Sequence, residues 1–130
     1  MYLLDTNVCI ALLKGDPVAA GHLSRCDPAE ICVSTIVRAE LSYGARQSAQ
    51  VTRNLTVLAA FLAPLRSVTF DEAAAEEYGL IRASLERAGQ PIGPNGLLIA
   101  AIARAHDFTV VTRNFREFSR VAGLRVAVWD

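Results

Sequence analysis

The sequence predicts an α/β domain of three layers, α/β/α, built on a central parallel sheet. Three observations lead there. Short apolar and β-branched runs alternate with stretches of helical period along the whole chain, as a succession of βα units requires. Capping and breaking residues, among them Asp16-Pro17, Asp71 and Gly89, stand at the joints. At 130 residues and 52% hydrophobic content, the chain can bury one core but not two. No repeat or linker divides it, so residues 1–130 are expected to form a single domain.

Taken in order, Tyr2-Leu3-Leu4 reads as the first strand, and Asp5 at its end opens a helix over residues 6–13, which Gly15 stops. Asp16 caps a second helix with Pro17 at its first position, ending near Cys26. Ile31-Cys32-Val33 is the second strand. Ser34 or Thr35 caps a third helix to about Arg46, on which Val37, Leu41 and Gly44 fall at helical spacing and Glu40 lies one to two turns in. A fourth helix runs from about Gln50 to Leu62 and stops before Pro64. A strand follows at Arg66 to Phe70. Asp71 caps a long helix to Ala88 with Gly89 just past its end. The turn-rich break Gln90 to Gly96 precedes an apolar helix from Leu97 to Ala105. Thr109 to Val111 is the next strand, Phe115 to Phe118 a short helix, and Arg125 to Trp129 the last strand.

Composition narrows the classes. Charged residues make up 20% of the chain, and with so much apolar content intrinsic disorder is excluded. No apolar run reaches the roughly 20 residues that span a bilayer, and Asp5 interrupts the N-terminal apolar stretch, so no membrane role and a cytoplasmic location are expected. Cys9, Cys26 and Cys32 lack metal-type spacing and read as reduced, buried thiols. Thirteen basic and thirteen acidic residues cancel, so bulk charge gives no sign of nucleic-acid binding. Arg113, Arg116, Arg120 and Arg125 crowd the last quarter, and suit either phosphate contacts or ordinary ion pairs.

Chemistry enters where acids meet the sheet. A carboxylate at the C-terminal end of a strand lies where open α/β sheets bind ligands, and Asp5 has that position. Glu40 follows the second strand, Gly93-Pro94-Asn95-Gly96 precedes a helix, and Asn114 follows the fourth strand. In a parallel sheet all four can reach the same edge. Hydrolysis of a phosphodiester with two metal ions needs hard oxygen ligands gathered at one place, with helix N-termini nearby to hold the anion. Spacing alone leaves the alternatives open: Asp5 also reads as a helix cap, and Glu40 as half of a surface ion pair.

Four segments carry a resemblance: Leu3-Leu4-Asp5-Thr6-Asn7, Val37 to Ala45, Pro91 to Ala101, and Val111 to Phe118. In their order and spacing they closely resemble PIN-domain ribonucleases, and among these the chain looks most like the VapC toxins of VapBC toxin–antitoxin pairs. The resemblance covers the whole chain. It implies a Mg2+-dependent endoribonuclease, with Mn2+ as a possible substitute, in which Asp5 and Glu40 hold the metal and Asn114 orients a ligand or water. Thr6, Ser34 and Thr112 would support these groups. It also implies a VapB-like antitoxin, a homodimer that joins the antitoxin in a larger hetero-oligomer, an RNA substrate such as a transfer RNA, and operator DNA contacted through the antitoxin alone.

Gly96 departs from the pattern, which has an aspartate there. Of the four positions, Asp5 and Glu40 then supply two formal negative charges, against about four positive charges for a metal pair. Loss of one such group costs on the order of a hundredfold or more in rate. The expectation is an impaired or inactive nuclease. Its rivals are a non-catalytic module that binds antitoxin and tunes transcription, and a hydrolase of small phosphate esters, for which no pocket motif is visible. His22 and His106 are assigned no role. Tyr43, Tyr78 and Trp129 are expected at packing positions, and the Asp71–Glu77 acids as favourable charge at a helix N-terminus. Leu41, Leu55, Leu58 and Phe61 read as core, with a groove for an amphipathic antitoxin segment as the alternative.

Overall fold

The computed structural model describes all 130 residues. Five parallel strands, β1 Tyr2–Leu4, β2 Ile31–Ser34, β3 Arg66–Val68, β4 Thr109–Thr112 and β5 Arg125–Val128, form one sheet in the order β3-β2-β1-β4-β5. Seven helices flank it: α1 Thr6–Leu13, α2 Pro17–Ser24, α3 Thr35–Arg46, α4 Val51–Leu62, α5 Glu72–Arg87, α6 Pro94–His106 and α7 Phe115–Phe118. The three-layer α/β/α expectation holds.

The register follows from burial. Leu3 pairs with Cys32 on one side and Val110 on the other, and all three are fully buried. A strand covered on both faces needs apolar residues at successive positions, which is why β2 reads Ile-Cys-Val rather than alternating. Ile99 to Ala103 of α6 form an unbroken buried run, with Ala74, Ile81 and Leu85 of α5 buried in the same cluster. Small alanines let α6 lie close to its neighbours. No helix is long and apolar enough to cross a membrane.

The chain moves from β1 outward to β3, then returns to place β4 on the other side of β1. That reversal makes the C-terminal end of β1 and β4 the switch point of the sheet, where a crevice opens. Asp5 N–H donates to the Val111 carbonyl at 2.8 Å, carrying the ladder one residue past the strand.

Several expected boundaries and positions are corrected. The turn-rich break does not run to Gly96: Gly93 is the N-cap of α6, Pro94 its first residue, and Asn95 and Gly96 lie in its first turn. Proline has no N–H to satisfy there and its fixed φ suits the helix start, so the same proline that reads as a breaker is an initiator. The Pro28–Glu30 segment forms a 3-10 turn capped by Asp27, a second Asp-Pro start. β3 ends at Val68, short of Phe70. Tyr43 is not a packing residue; it is 67% exposed, because it falls on the outer face of α3 opposite Val37, Leu41 and Ala45. Tyr78 is half-buried against Phe70 in an edge-on pair, and Trp129 is buried and stacked on His22.

A candidate active site at the carboxyl edge of the sheet

A cavity of about 290 Å3 opens at the switch point, lined by Asp5, Thr6, Asn7, Glu40, Asn95, Gly96, Asn114 and Glu117, with Ile10, Ile92, Ile99 and Phe118 as its apolar wall. The expected positions Asp5, Glu40, Gly96 and Asn114 therefore meet at one place. Each arrives by a different element. Asp5 ends β1 and caps α1, Glu40 projects from α3, Gly96 sits in the first turn of α6, and Asn114 caps α7 after β4.

Asp5 is held through both of its oxygens. Its Oδ1 accepts the Thr6 N–H and its Oδ2 accepts the Thr112 hydroxyl, both at 2.8 Å. The Thr112 oxygen in turn accepts the Asn114 N–H at 2.9 Å, so one buried hydroxyl fixes the acid and the loop after β4 together. Burial pushes the Asp5 carboxyl above its ordinary value, and the negative charges of Glu40 and Glu117 push the same way against the two hydrogen bonds. A buried acid under like-charge pressure favours a cation close by.

Glu117 is the acid that the sequence reading did not single out. Its Oε1 accepts the Gly93 N–H at 2.7 Å and its Oε2 the Asn114 side-chain amide. The Gly93 N–H, and next the Asn114 amide, hold Glu117 below its ordinary value, so it stays ionised. The spacing Asn114-x-x-Glu117 was a legible signal: a cap residue and an acid three positions on share one face of a helix start. Asn95 and Asn7 were also missed. Asn95 donates its side-chain amide to Glu40 Oε1 at 2.7 Å, across 55 residues of sequence. Asn7 Oδ1 accepts the Arg113 N–H at 3.2 Å, tying α1 to the loop after β4.

Two expected supporting residues differ in place. Thr6 lines the cavity, and its Oγ1 is buried with no hydrogen-bond partner. Ser34 does not line it: its buried hydroxyl accepts the Val37 N–H at 3.2 Å and caps α3, so it acts on Glu40 only by starting the helix that carries it. Three of the four C-terminal arginines are engaged within the chain. Arg113 pairs with Asp16, Arg125 with Asp107 at 3.1 Å, and Arg120 donates to the Pro91 carbonyl at 2.9 Å. Arg116 has no side-chain partner.

Three carboxylates thus face one cavity, but no three acid, His or Cys side chains stand close enough to enclose a metal ion unaided. Hard oxygen donors in an open arrangement suit magnesium, which keeps several waters and binds through one or two carboxylates plus substrate phosphate. The orphaned Thr6 hydroxyl and the strained ionisation of Asp5 both fit a cation at this place.

The PIN-domain family profile matches residues 2–124, so the chain belongs to the PIN-domain family. Among its relatives, a tRNA(fMet)-specific endonuclease VapC of Shigella flexneri is 40% identical, over 99% of this chain and 98% of that one. A ribonuclease VapC2 of Rickettsia felis is 37% identical, covering 100% and 98%. Two solved structures superpose with a TM-score of 0.92: VapBC of Salmonella typhimurium bound to DNA, 38% identical, and VapBC2 of Rickettsia felis bound to a promoter fragment, 36% identical, each covering 99% of this chain and 98% of the other. Within the family, the chain falls among the VapC toxins of VapBC toxin–antitoxin pairs.

Proposed function

We propose that this chain is a VapC ribonuclease, dependent on Mg2+ or Mn2+, whose cutting of RNA is impaired at position 96. The observation that carries the reading is the meeting of Asp5, Glu40, Asn114 and Glu117 around Gly96 in one cavity. Asp5 and Glu40 would hold the metal, with Glu117 contributing a third negative charge from the far wall. When bound, the metal would polarise the phosphate and lower the pKa of an attacking water. Thr112 keeps Asp5 oriented. Asn114 holds Glu117 and presents its amide at the mouth. The first-turn N–H groups of α6 at Asn95 and Gly96 have no helical acceptor, and suit an anionic phosphate oxygen.

Gly96 brings no oxygen to this site. A Cβ there would meet only Phe118, at 3.7 Å, an ordinary contact, so space is not what keeps an acid away. The same observation favours a second reading, in which the chain binds antitoxin and tunes transcription without cutting.

RNA is the substrate class that the relatives' names support, with transfer RNA the first candidate. The partner would be a VapB-like antitoxin. A groove of about 340 Å3 between α1, α3 and α4 shares Ile10 and Glu40 with the acidic cavity and is otherwise mainly apolar. An amphipathic segment lying there would reach the carboxylates. A homodimer, a larger assembly with antitoxin, and operator DNA reached through the antitoxin complete the proposal. Overexpression in a host without the antitoxin tests the two readings: slow or partial growth arrest fits an impaired nuclease, and unimpeded growth with intact antitoxin binding fits the binding module.

A further inference from the structure

The carboxylates of the cavity differ in what holds them. Asp5 has a backbone and a hydroxyl donor, and Glu117 has a backbone and an amide donor. Glu40 has one partner only. It projects from the middle of α3 with no ion pair and no backbone donor, and its single hydrogen bond comes from the Asn95 side chain at 2.7 Å. A glutamate side chain has three rotatable bonds, so without that bond its carboxyl group would sweep the mouth of the cavity.

We infer that Asn95 is a positioning residue, whose amide anchors Glu40 to the first turn of α6 and sets its free oxygen toward the cation that the site takes. The bond is the one side-chain hydrogen bond between α3 and α6. It joins the element that carries Glu40 to the element that carries position 96, so the two sides of the mouth are set relative to one another by a neutral group. An amide suits this role because it donates to a carboxylate without adding charge beside the metal. Outer partners that orient a ligating carboxylate typically set metal affinity by about 10–100-fold. The inference rests on the metal-site reading above, and its test is built to separate the two.

The test uses Mn2+ alone as probe, read by its effect on water relaxation, in the Gly96→Asp protein, where the acid set is complete. Asn95→Leu added to it keeps the size and removes the donor; the expected result is Mn2+ binding weakened about tenfold or more with the melting temperature unchanged. Asn95→Gln, which keeps an amide on a longer arm, is expected to recover part of the affinity. In a Glu40→Ala background, which leaves the Asn95 amide no acceptor, Asn95→Leu should cause no further loss, since the two substitutions remove one shared interaction. Equal Mn2+ affinity with and without Asn95→Leu overturns the positioning role alone, as does an equal loss in the Glu40→Ala background. Absence of Mn2+ binding in Gly96→Asp itself overturns the metal reading and the inference with it.

Discussion

Asp5 does two jobs that conflict. As the cap of α1 and the partner of Thr112 it belongs to the fold, yet burial and two neighbouring acids work against its charge. Its folded-state pKa lies above its value in the unfolded chain. The stability linked to it is therefore fully present below the ordinary value of 3.8 and is lost as pH rises through the folded pKa. Asn keeps the capping oxygen for the Thr6 N–H without the charge, and its amide NH2 would donate to the Thr112 hydroxyl where the carboxylate accepts from it. Asp5→Asn is expected to melt higher than the native chain at neutral pH, with the gap closing below pH 3.8, and millimolar magnesium should stabilise the native chain but not the variant. A lower melting temperature at pH 7, by scanning calorimetry, would count against a strained charge at this place. Cys9, nearby, shows the same burial from the other side: its thiol is pushed up to about 12, and it stays protonated and inert.

At the scale of elements, the site is held by helix starts. α1, α2, α3 and α5 each begin on a side chain that accepts a first-turn N–H, from Asp5, Asp16, Ser34 and Asp71. Asp16 also receives Arg113, whose own N–H is held by Asn7, so the second helix and the loop after β4 share an anchor. Asp16→Ala removes both contacts and should cost about 1 kcal/mol, the usual worth of such a cap, seen as a lower denaturant midpoint. An unchanged midpoint would mean that the pair with Arg113 and the cap do not form in solution. The groove beside Glu40 makes a separate claim on α4. Val57 lines it and is 45% exposed, so Val57→Asp should leave the fold and melting temperature unaltered while abolishing co-purification with the antitoxin. Retained binding would move the antitoxin elsewhere.

For the molecule as a whole, the strand order β3-β2-β1-β4-β5 is what turns four distant segments into one cavity. The class of fold and most elements were legible because both periodicities are clean: continuous apolar strands, and helices opened by Asp or Ser. The meeting of Asp5 with Glu40 was legible from a family resemblance and from the rule that parallel strands gather their ends at one edge. Less was visible where one residue type serves two purposes. Pro94 reads equally as a stop or a start, so the first turn of α6 was missed and Asn95 with it. Glu117 had a signal in the Asn114-x-x-Glu117 spacing, but the fold of the loop after β4 is what carries its other oxygen to the Gly93 N–H. Ser34 is polar and near the edge in sequence, but its hydroxyl is occupied by the Val37 N–H.

Position 96 stands on the first turn of a helix and lines the cavity, and a Cβ there would meet only Phe118. The most direct measurement is magnesium-dependent cleavage of a transfer RNA by the native chain and by Gly96→Asp, side by side. The aspartate should raise the rate on the order of a hundredfold or more, and chelation of the metal should abolish the gain. Equal rates in the two proteins, with or without magnesium, would contradict it.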